Sequence, residues 1–230
     1  LGAGTGDGEV WSCSTTTNCA TWTKIGGDGT GLTINTYETV QSMVVSNGIL
    51  YVGTGTQAGD GDVWKYNGGT SWTQVGGDGL NSGWAASTIE AVYSMTTDGT
   101  NLYVGTGLTT TDADVWRYNG TSWTQIGGDG LNSSFNTNYE AVRSLTYYGG
   151  NLYAGLGDGG NDAEVWRYNG TSWTQIGGDG ITSSWSSGSI TTVYGLTNDG
   201  TNLYVGLNGT ADVWKWSGSV WTKIAGAGVN

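Results

Sequence analysis

The sequence predicts an all-β fold: a β-propeller of five blades with four antiparallel strands each, the first blade lacking its inner strand A within this chain. Three observations predict it. One unit recurs about every 50 residues along the whole chain. Each unit reads as four short strands bounded by turn residues. No stretch shows the three-and-four apolar spacing of a helix.

The outer strand D carries the clearest phrase, Trp-Thr-[Lys/Gln]-[Ile/Val], at Trp22, Trp72, Trp123, Trp173 and Trp221, with spacings of 50, 51, 50 and 48 residues. Strand C is marked by [Glu/Asp]-Val-Trp from Glu9, Asp62, Asp114, Glu164 and Asp212. Strand B reads Leu-Tyr-[Val/Ala]-Gly from Leu50, Leu102, Leu152 and Leu203, with Leu1-Gly2-Ala3-Gly4 as a degenerate first copy. Strand A reads Val-x-[Ser/Gly]-[Met/Leu] from Val40, Val92, Val142 and Val193. In the third unit these phrases predict strands at Ala91–Met95, Leu102–Gly105, Asp114–Tyr118 and Ser122–Ile126. Asp98-Gly99-Thr100-Asn101 turns A into B, and Asn119-Gly120 turns C into D, as antiparallel hairpins require. The resulting units, 1–29, 30–79, 80–130, 131–180 and 181–230, are expected to form one domain. A β-solenoid would use shorter rungs without such hairpins.

Composition bounds the function. The 230 residues include 44 Gly, 13 Trp, 13 Tyr, no Pro and no His. Abundant aromatics argue against disorder. Seven basic against nineteen acidic side chains leave a net charge of −12, which disfavours nucleic-acid and anionic-membrane partners. No apolar run approaches the roughly 18 residues of a membrane span. The chain opens at Leu1 without a secretory leader, so any leader is expected to have been removed. Cys13 and Cys19 stand where other units have a short turn. They are read as a disulfide closing an enlarged hairpin loop in a secreted or cell-surface protein.

Val-x-Ser-Leu, Asn-Leu-Tyr-Val-Gly and Val-Trp-Arg-Tyr, in matching order, resemble blades of the Kelch and two-component-regulator propeller repeats. The Trp-Thr-Gln-Ile-Gly-Gly phrase and the blade number also resemble five-bladed tachylectin-type lectins, although their loop sequences are not reproduced. That second resemblance implies carbohydrate binding.

The D–A and B–C loops share one face of such a fold, and the carboxylates gather there. Asp7 and Glu9, Asp60 and Asp62, Asp112 and Asp114, and Asp162 and Glu164 precede Val-Trp. With period two on a strand, each pair would point to one side, roughly 6.5–7 Å apart. Gly-Gly-Asp-Gly follows strand D at Asp28, Asp78, Asp129 and Asp179. Both features vanish together in the last unit, at Thr210 and Ala227. Ca²⁺, a hard ion that takes oxygen ligands, is therefore a candidate ligand of Asp60, Asp62, Asp78, Asp112, Asp114, Asp129, Asp162, Glu164 and Asp179. The alternative is ordinary turn chemistry, in which the Asp side chain of Gly-Asp-Gly bonds its own backbone. Glu38, Glu90 and Glu140, with Thr191 in fourth place, precede strand A and would ring the mouth of a central channel.

Trp84, Phe135 and Trp185 occupy matching D–A loop positions after Asn81, Asn132 and Thr182. As a ligand site they would stack on sugar rings while Asn81 and Asn132 bond hydroxyls; alternatively each ring covers the gap between two blades. Six of the seven basic residues lie on outer strands, where they guard against edge pairing: Lys24, Lys65, Arg117, Arg167, Lys215 and Lys223. Without His no Ser-His-Asp or Cys-His arrangement exists, and carboxylate pairs repeated in nearly every unit lack the single distinctive environment that catalysis needs. The chain thus reads as a non-enzymatic extracellular binding module for glycans. The alternative is a structural or adhesive module of a larger cell-surface or filament protein, with self-association among its contacts.

Overall fold

A computed structural model of the chain describes residues 8–27, 29–32, 39–57, 59–84, 89, 91–107, 113–135, 139–158, 163–186 and 190–228. It is an all-β, blade-like propeller fold. A first hairpin pairs β1 (Val10–Cys13) with β2 (Trp22–Gly26). Its loop holds a 3-10 turn at Thr15–Thr17 and is closed by the Cys13–Cys19 disulfide. Four meanders follow. The first is β3 (Val40–Ser46), β4 (Ile49–Thr54), β5 (Val63–Gly68) and β6 (Ser71–Gly76). The second is β7 (Ala91–Thr97), β8 (Leu102–Gly107), β9 (Val115–Tyr118) and β10 (Trp123–Gly127). The third is β11 (Ala141–Tyr148), β12 (Asn151–Gly157), β13 (Val165–Tyr168) and β14 (Trp173–Gly177). The last is β15 (Val193–Asn198), β16 (Leu203–Leu207), β17 (Val213–Trp216) and β18 (Trp221–Ala225). Within each meander every strand pairs antiparallel with the next, and one bridge, Ala141 to Gly107, also joins the second and third.

Strand C begins one residue later than predicted, at the Val of [Glu/Asp]-Val-Trp. A register shift at that Val accompanies the start of β5, β13 and β17. The two acids of each pair therefore precede the strand. Asp60 is half-buried and Asp62 buried, so these two carboxylates stand in different surroundings, while Asp7, Asp112 and Asp162 of the other pairs lie outside the described residues.

The chain divides into two compact units, Leu1–Val92 and Tyr93–Asn230. In the first, Val10, Ile25, Leu32, Val52, Trp64 and Trp72 form one buried cluster. Trp72 Nε1 donates to the Ile25 carbonyl at 2.6 Å, tying the strand D of one repeat to that of the repeat before it. The second unit repeats this bond from Trp173 to Ile126 (2.7 Å) and from Trp221 to Ile176 (2.6 Å). A buried indole thus supplies apolar area worth a few kcal/mol and satisfies its own N–H.

Successive A strands are linked by the Ser of Val-x-Ser. Ser94 Oγ donates to the Val142 carbonyl at 2.9 Å, and Ser144 Oγ to the Val193 carbonyl at 3.0 Å. The Gly that ends Leu-Tyr-[Val/Ala]-Gly permits this approach. A Cβ on Gly105 would lie 2.5 Å from both Ser94 Oγ and Val142 Cγ1, and one on Gly155 would meet Ser144 and Val193 in the same way.

Candidate functional site

The acid before strand C meets the third residue of strand D, and the pairing differs from repeat to repeat. Gln74 Nε2 donates to Asp62 Oδ1 at 2.8 Å, and Gln125 Nε2 to Asp114 Oδ1 at 2.7 Å. Lys24 Nζ donates to Glu9 Oε1 at 2.7 Å. Lys223 Nζ lies 2.8 Å from Asp212 Oδ1, an ion pair off the hydrogen-bond direction, and donates to the Ala227 carbonyl at 2.7 Å. So Ala227, which stands where the other units have an Asp, is reached through its backbone oxygen.

Glu164 differs. Gln175 Nε2 reaches the Gly177 carbonyl, at 3.4 Å. Glu164 instead accepts from Trp166 Nε1 at 2.7 Å and is hydrogen-bonded to Asp179 and Tyr139. Burial pushes its carboxyl up to about 7, helped by the Asp179 carboxyl and opposed by the Trp166 and Tyr139 donors. Glu9 also accepts from its indole, Trp11 Nε1, at 2.9 Å; the Lys24 ammonium and then that indole hold it below the ordinary carboxylate range. Burial raises Asp60.

For calcium the surroundings are mixed. Amide and ammonium donors, which repel a cation, engage Asp62, Asp114, Glu9 and Asp212. Asp78, Asp129 and Asp179 are exposed in left-handed turns with φ of 52–53°. Among the described residues no group of three or more His, Cys, Asp or Glu gathers with metal-site spacing. Asp7, Asp28, Asp112 and Asp162 lie outside the described residues, as do Glu38 and Glu90; Glu140 and Thr191 are half-buried.

Each Asp-Gly turn runs into a short 3-10 turn, Leu80–Ser82, Leu131–Ser133 or Ile181–Ser183, whose middle residue is left-handed. That residue caps strand D. Asn81 and Asn132 Nδ2 donate to the Val75 and Ile126 carbonyls, both at 3.0 Å, and Thr182 Oγ1 to the Ile176 carbonyl at 2.7 Å. The amides are exposed yet partly committed to the backbone. Leu80 and Leu131 beside them are exposed.

The loop rings lie elsewhere than a sugar-stacking role needs. Trp84, Phe135 and Trp185 are only 4 %, 1 % and 3 % exposed. Trp84 Nε1 donates to Gly61 O at 2.5 Å and Trp185 Nε1 to Ala163 O at 2.6 Å. Phe135 packs edge-on against Trp166 and Trp173, and Trp185 against Trp214 and Trp221. Leu32 fills the corresponding place beside Trp64 and Trp72. Phe135 and Trp185 wedge one repeat against the next, and Trp84 is buried and anchored to Gly61. The physical reason is area: an indole or phenyl ring at the edge of an apolar gap gains more by filling it than by facing water.

Sequence reasoning passed over Arg143 and Asp158. Arg143 is the seventh basic residue and the one on an A strand, while Asp158 follows strand B where the other units with a strand A have Thr56, Leu108 or Gly209. The two form an ion pair. Their joint departure from the repeat was the available signal.

No family model and no curated protein matches the chain. Solved structures do. The extracellular domain of the putative one component system BT4673 from B. thetaiotaomicron aligns over 97% of this chain and 25% of that one, at 17% identity and a TM-score of 0.58. A second structure of that domain, described as from a putative hybrid two component system, aligns over 94% and 24%, at 16% identity and a TM-score of 0.57. The WD40 β-propeller domain of Doa1 aligns over 83% and 55%, at 13% identity and a TM-score of 0.49. The chain thus spans about half of the Doa1 domain and a quarter of the BT4673 domains. At these identities the likeness concerns the fold.

Proposed function

We propose that this chain is a non-enzymatic extracellular module that binds glycans multivalently through its D–A loop tips. One observation carries the reading. The same exposed Asp-Gly-[Leu/Ile]-[Asn/Thr]-Ser tip, in the same left-handed geometry, recurs at Asp78, Asp129 and Asp179. Carboxylates and amides bond sugar hydroxyls, and an adjoining apolar side chain can cover a C–H face. Repetition of a weak site supplies avidity. The Cys13–Cys19 disulfide and the extracellular source of the BT4673 neighbours support the compartment. Among the described residues no helix is long and apolar enough to cross a membrane.

A broad array of immobilised glycans tests this. Saturable binding is expected, lost when Asp78, Asp129 and Asp179 are all replaced by Ala. Uniform silence across the array would remove the reading. Replacing Trp84, Phe135 or Trp185 would not serve, because those rings are buried and their loss would disturb the fold. The donors facing Asp62, Asp114, Glu9 and Asp212 favour a fold that stands without calcium, so a chelator should leave the melting temperature unchanged; a marked drop would restore the metal.

A specific observation favours a second reading, an adhesive module of a larger surface protein. Trp11 and Trp22 on the first hairpin are 46 % and 60 % exposed, an apolar pair of the kind that marks a protein contact. Sedimentation at rising concentration tests self-association, and a monomer throughout would count against it.

A further inference from the structure

Within the second unit, three A strands lie side by side, linked by the Ser94 and Ser144 bonds to the next strand. The residue between Val and Ser/Gly on each strand, Tyr93, Arg143 and Tyr194, therefore stands in one row. The Arg143 guanidinium carbon sits 3.7 Å from the centroid of the Tyr93 ring. Arg143 Nε and Nη2 both face Asp158 Oδ2. Asp158 is itself fixed: its backbone N–H donates to the Thr191 carbonyl and to Thr192 Oγ1, both at 3.2 Å. Its φ of 91° is a conformation that favours glycine, held here by a residue with a carboxylate. Beyond Arg143 in the row, Tyr194 is 60 % exposed.

We propose that Tyr194, Arg143 and Asp158 form a single saccharide-binding site, separate from the loop tips. The proposal rests on the reading of the chain as a glycan-binding module and names a different place for the contact. The chemistry is that of a vicinal diol. Asp158 takes two of the five guanidinium N–H groups, leaving roughly three to donate to hydroxyl oxygens. Among the described residues Asp158 Oδ1 has a single long contact, 3.4 Å from Thr192 Oγ1, and is placed to accept from a hydroxyl. The exposed Tyr194 ring offers a face to the C–H side of a pyranose. Tyr93 covers one face of the guanidinium and Asp158 clamps its edge, so the fork is oriented before a ligand arrives, which limits the entropy lost on binding. The two polar members also occur together. Gln41 and two tyrosines fill the other equivalents of Arg143; Thr56, Leu108 and Gly209 fill those of Asp158 in the units that have a strand A, and Asp7 stands there in the first unit, which has no strand A to supply an Arg. A site built once on a repeating scaffold is the pattern expected of a ligand site rather than of blade packing.

The test uses the whole chain and methyl glycosides of glucose, galactose, mannose and N-acetylglucosamine in solution, read by saturation-transfer NMR and calorimetry. At least one should bind. Tyr194→Ala and Arg143→Lys should each weaken it about tenfold, the scale of one lost charge-assisted or stacking contact. Melting temperatures should hold, since Tyr194 is exposed and Lys keeps the charge beside Asp158. The Asp78/Asp129/Asp179 triple Ala variant is carried alongside to report on the loop tips. If no glycoside binds, or if Tyr194→Ala and Arg143→Lys bind as the parent, the site is wrong. Array binding that is lost only in the triple variant would then leave the loop-tip reading standing. Monosaccharide binding lost in Tyr194→Ala, with array binding indifferent to the triple variant, would do the reverse.

Discussion

Asp62 and Glu164 occupy the same position in two repeats and lead different lives. Asp62 is buried, takes its donor from Gln74 on β6, and leaves the nearby Trp64 Nε1 buried without an acceptor. Glu164 is equally buried, takes its donor from Trp166, two residues along its own chain, and meets Asp179 instead of Gln175. Glu9 follows Glu164 in bonding its indole, and Asp212 follows Asp62, since Trp214 Nε1 has no acceptor. One methylene accounts for the division. The longer carboxylate reaches the indole at i+2; the shorter stops at the facing strand. An unmet buried N–H costs about 1–3 kcal/mol, so this is a consequential difference.

The comparison can be broken most forcefully by pH. Glu164 is raised in the folded chain above its ordinary 4.5 to about 7, so folding takes up a proton there. Its contribution is fully present below about pH 4.5 and is lost as pH rises through about 7. After allowance for screening the loss is about 2–3 kcal/mol. Glu164→Gln should therefore raise the urea midpoint relative to the parent at pH 8 and change it little at pH 4.5. Equal midpoints at pH 8 would mean the carboxyl titrates normally.

Next in size, Glu164→Asp should withdraw the acceptor from Trp166 Nε1 and cost about 1–2 kcal/mol at pH 5, read from the same urea curves. The converse swap, Asp62→Glu, should provide Trp64 Nε1 with an acceptor and gain about 1 kcal/mol. Its indole N–H resonance should shift and gain exchange protection; an unmoved resonance would show that reach is not the deciding factor. The smallest effect belongs to Lys24→Gln. It should let the Glu9 carboxyl return upward toward its ordinary value in an NMR titration, without a measurable change in melting temperature.

Much of the fold was legible because its signals are local. Trp-Thr-[Lys/Gln]-[Ile/Val] and Leu-Tyr-[Val/Ala]-Gly carry strand composition and turn punctuation within a few residues, and they placed β6, β8, β10 and β14 to within one or two residues. Cys13 and Cys19 were readable as a pair because a turn had been enlarged around them. The candidate site was less legible. Exposure of Trp84, Phe135 and Trp185 could not be read from loop position, because a loop ring can fold back over its own repeat. Arg143 and Asp158 lie 15 residues apart and meet only through the pairing of β11 with β12.

The sequence by itself determined the repeat, its four-stranded content, its hairpin turns and its acidic, histidine-free chemistry, because period, composition and turn preference act over a handful of bonds. Only tertiary structure decided that the loop rings are buried, that Glu164 shares a site with Asp179, and that Tyr194 stands exposed beside the Arg143 strand. Those outcomes depend on which strand lies next to which and on how far a side chain reaches across the gap. Both are set by packing between segments that lie from 15 to about 50 residues apart, and no local pattern encodes them.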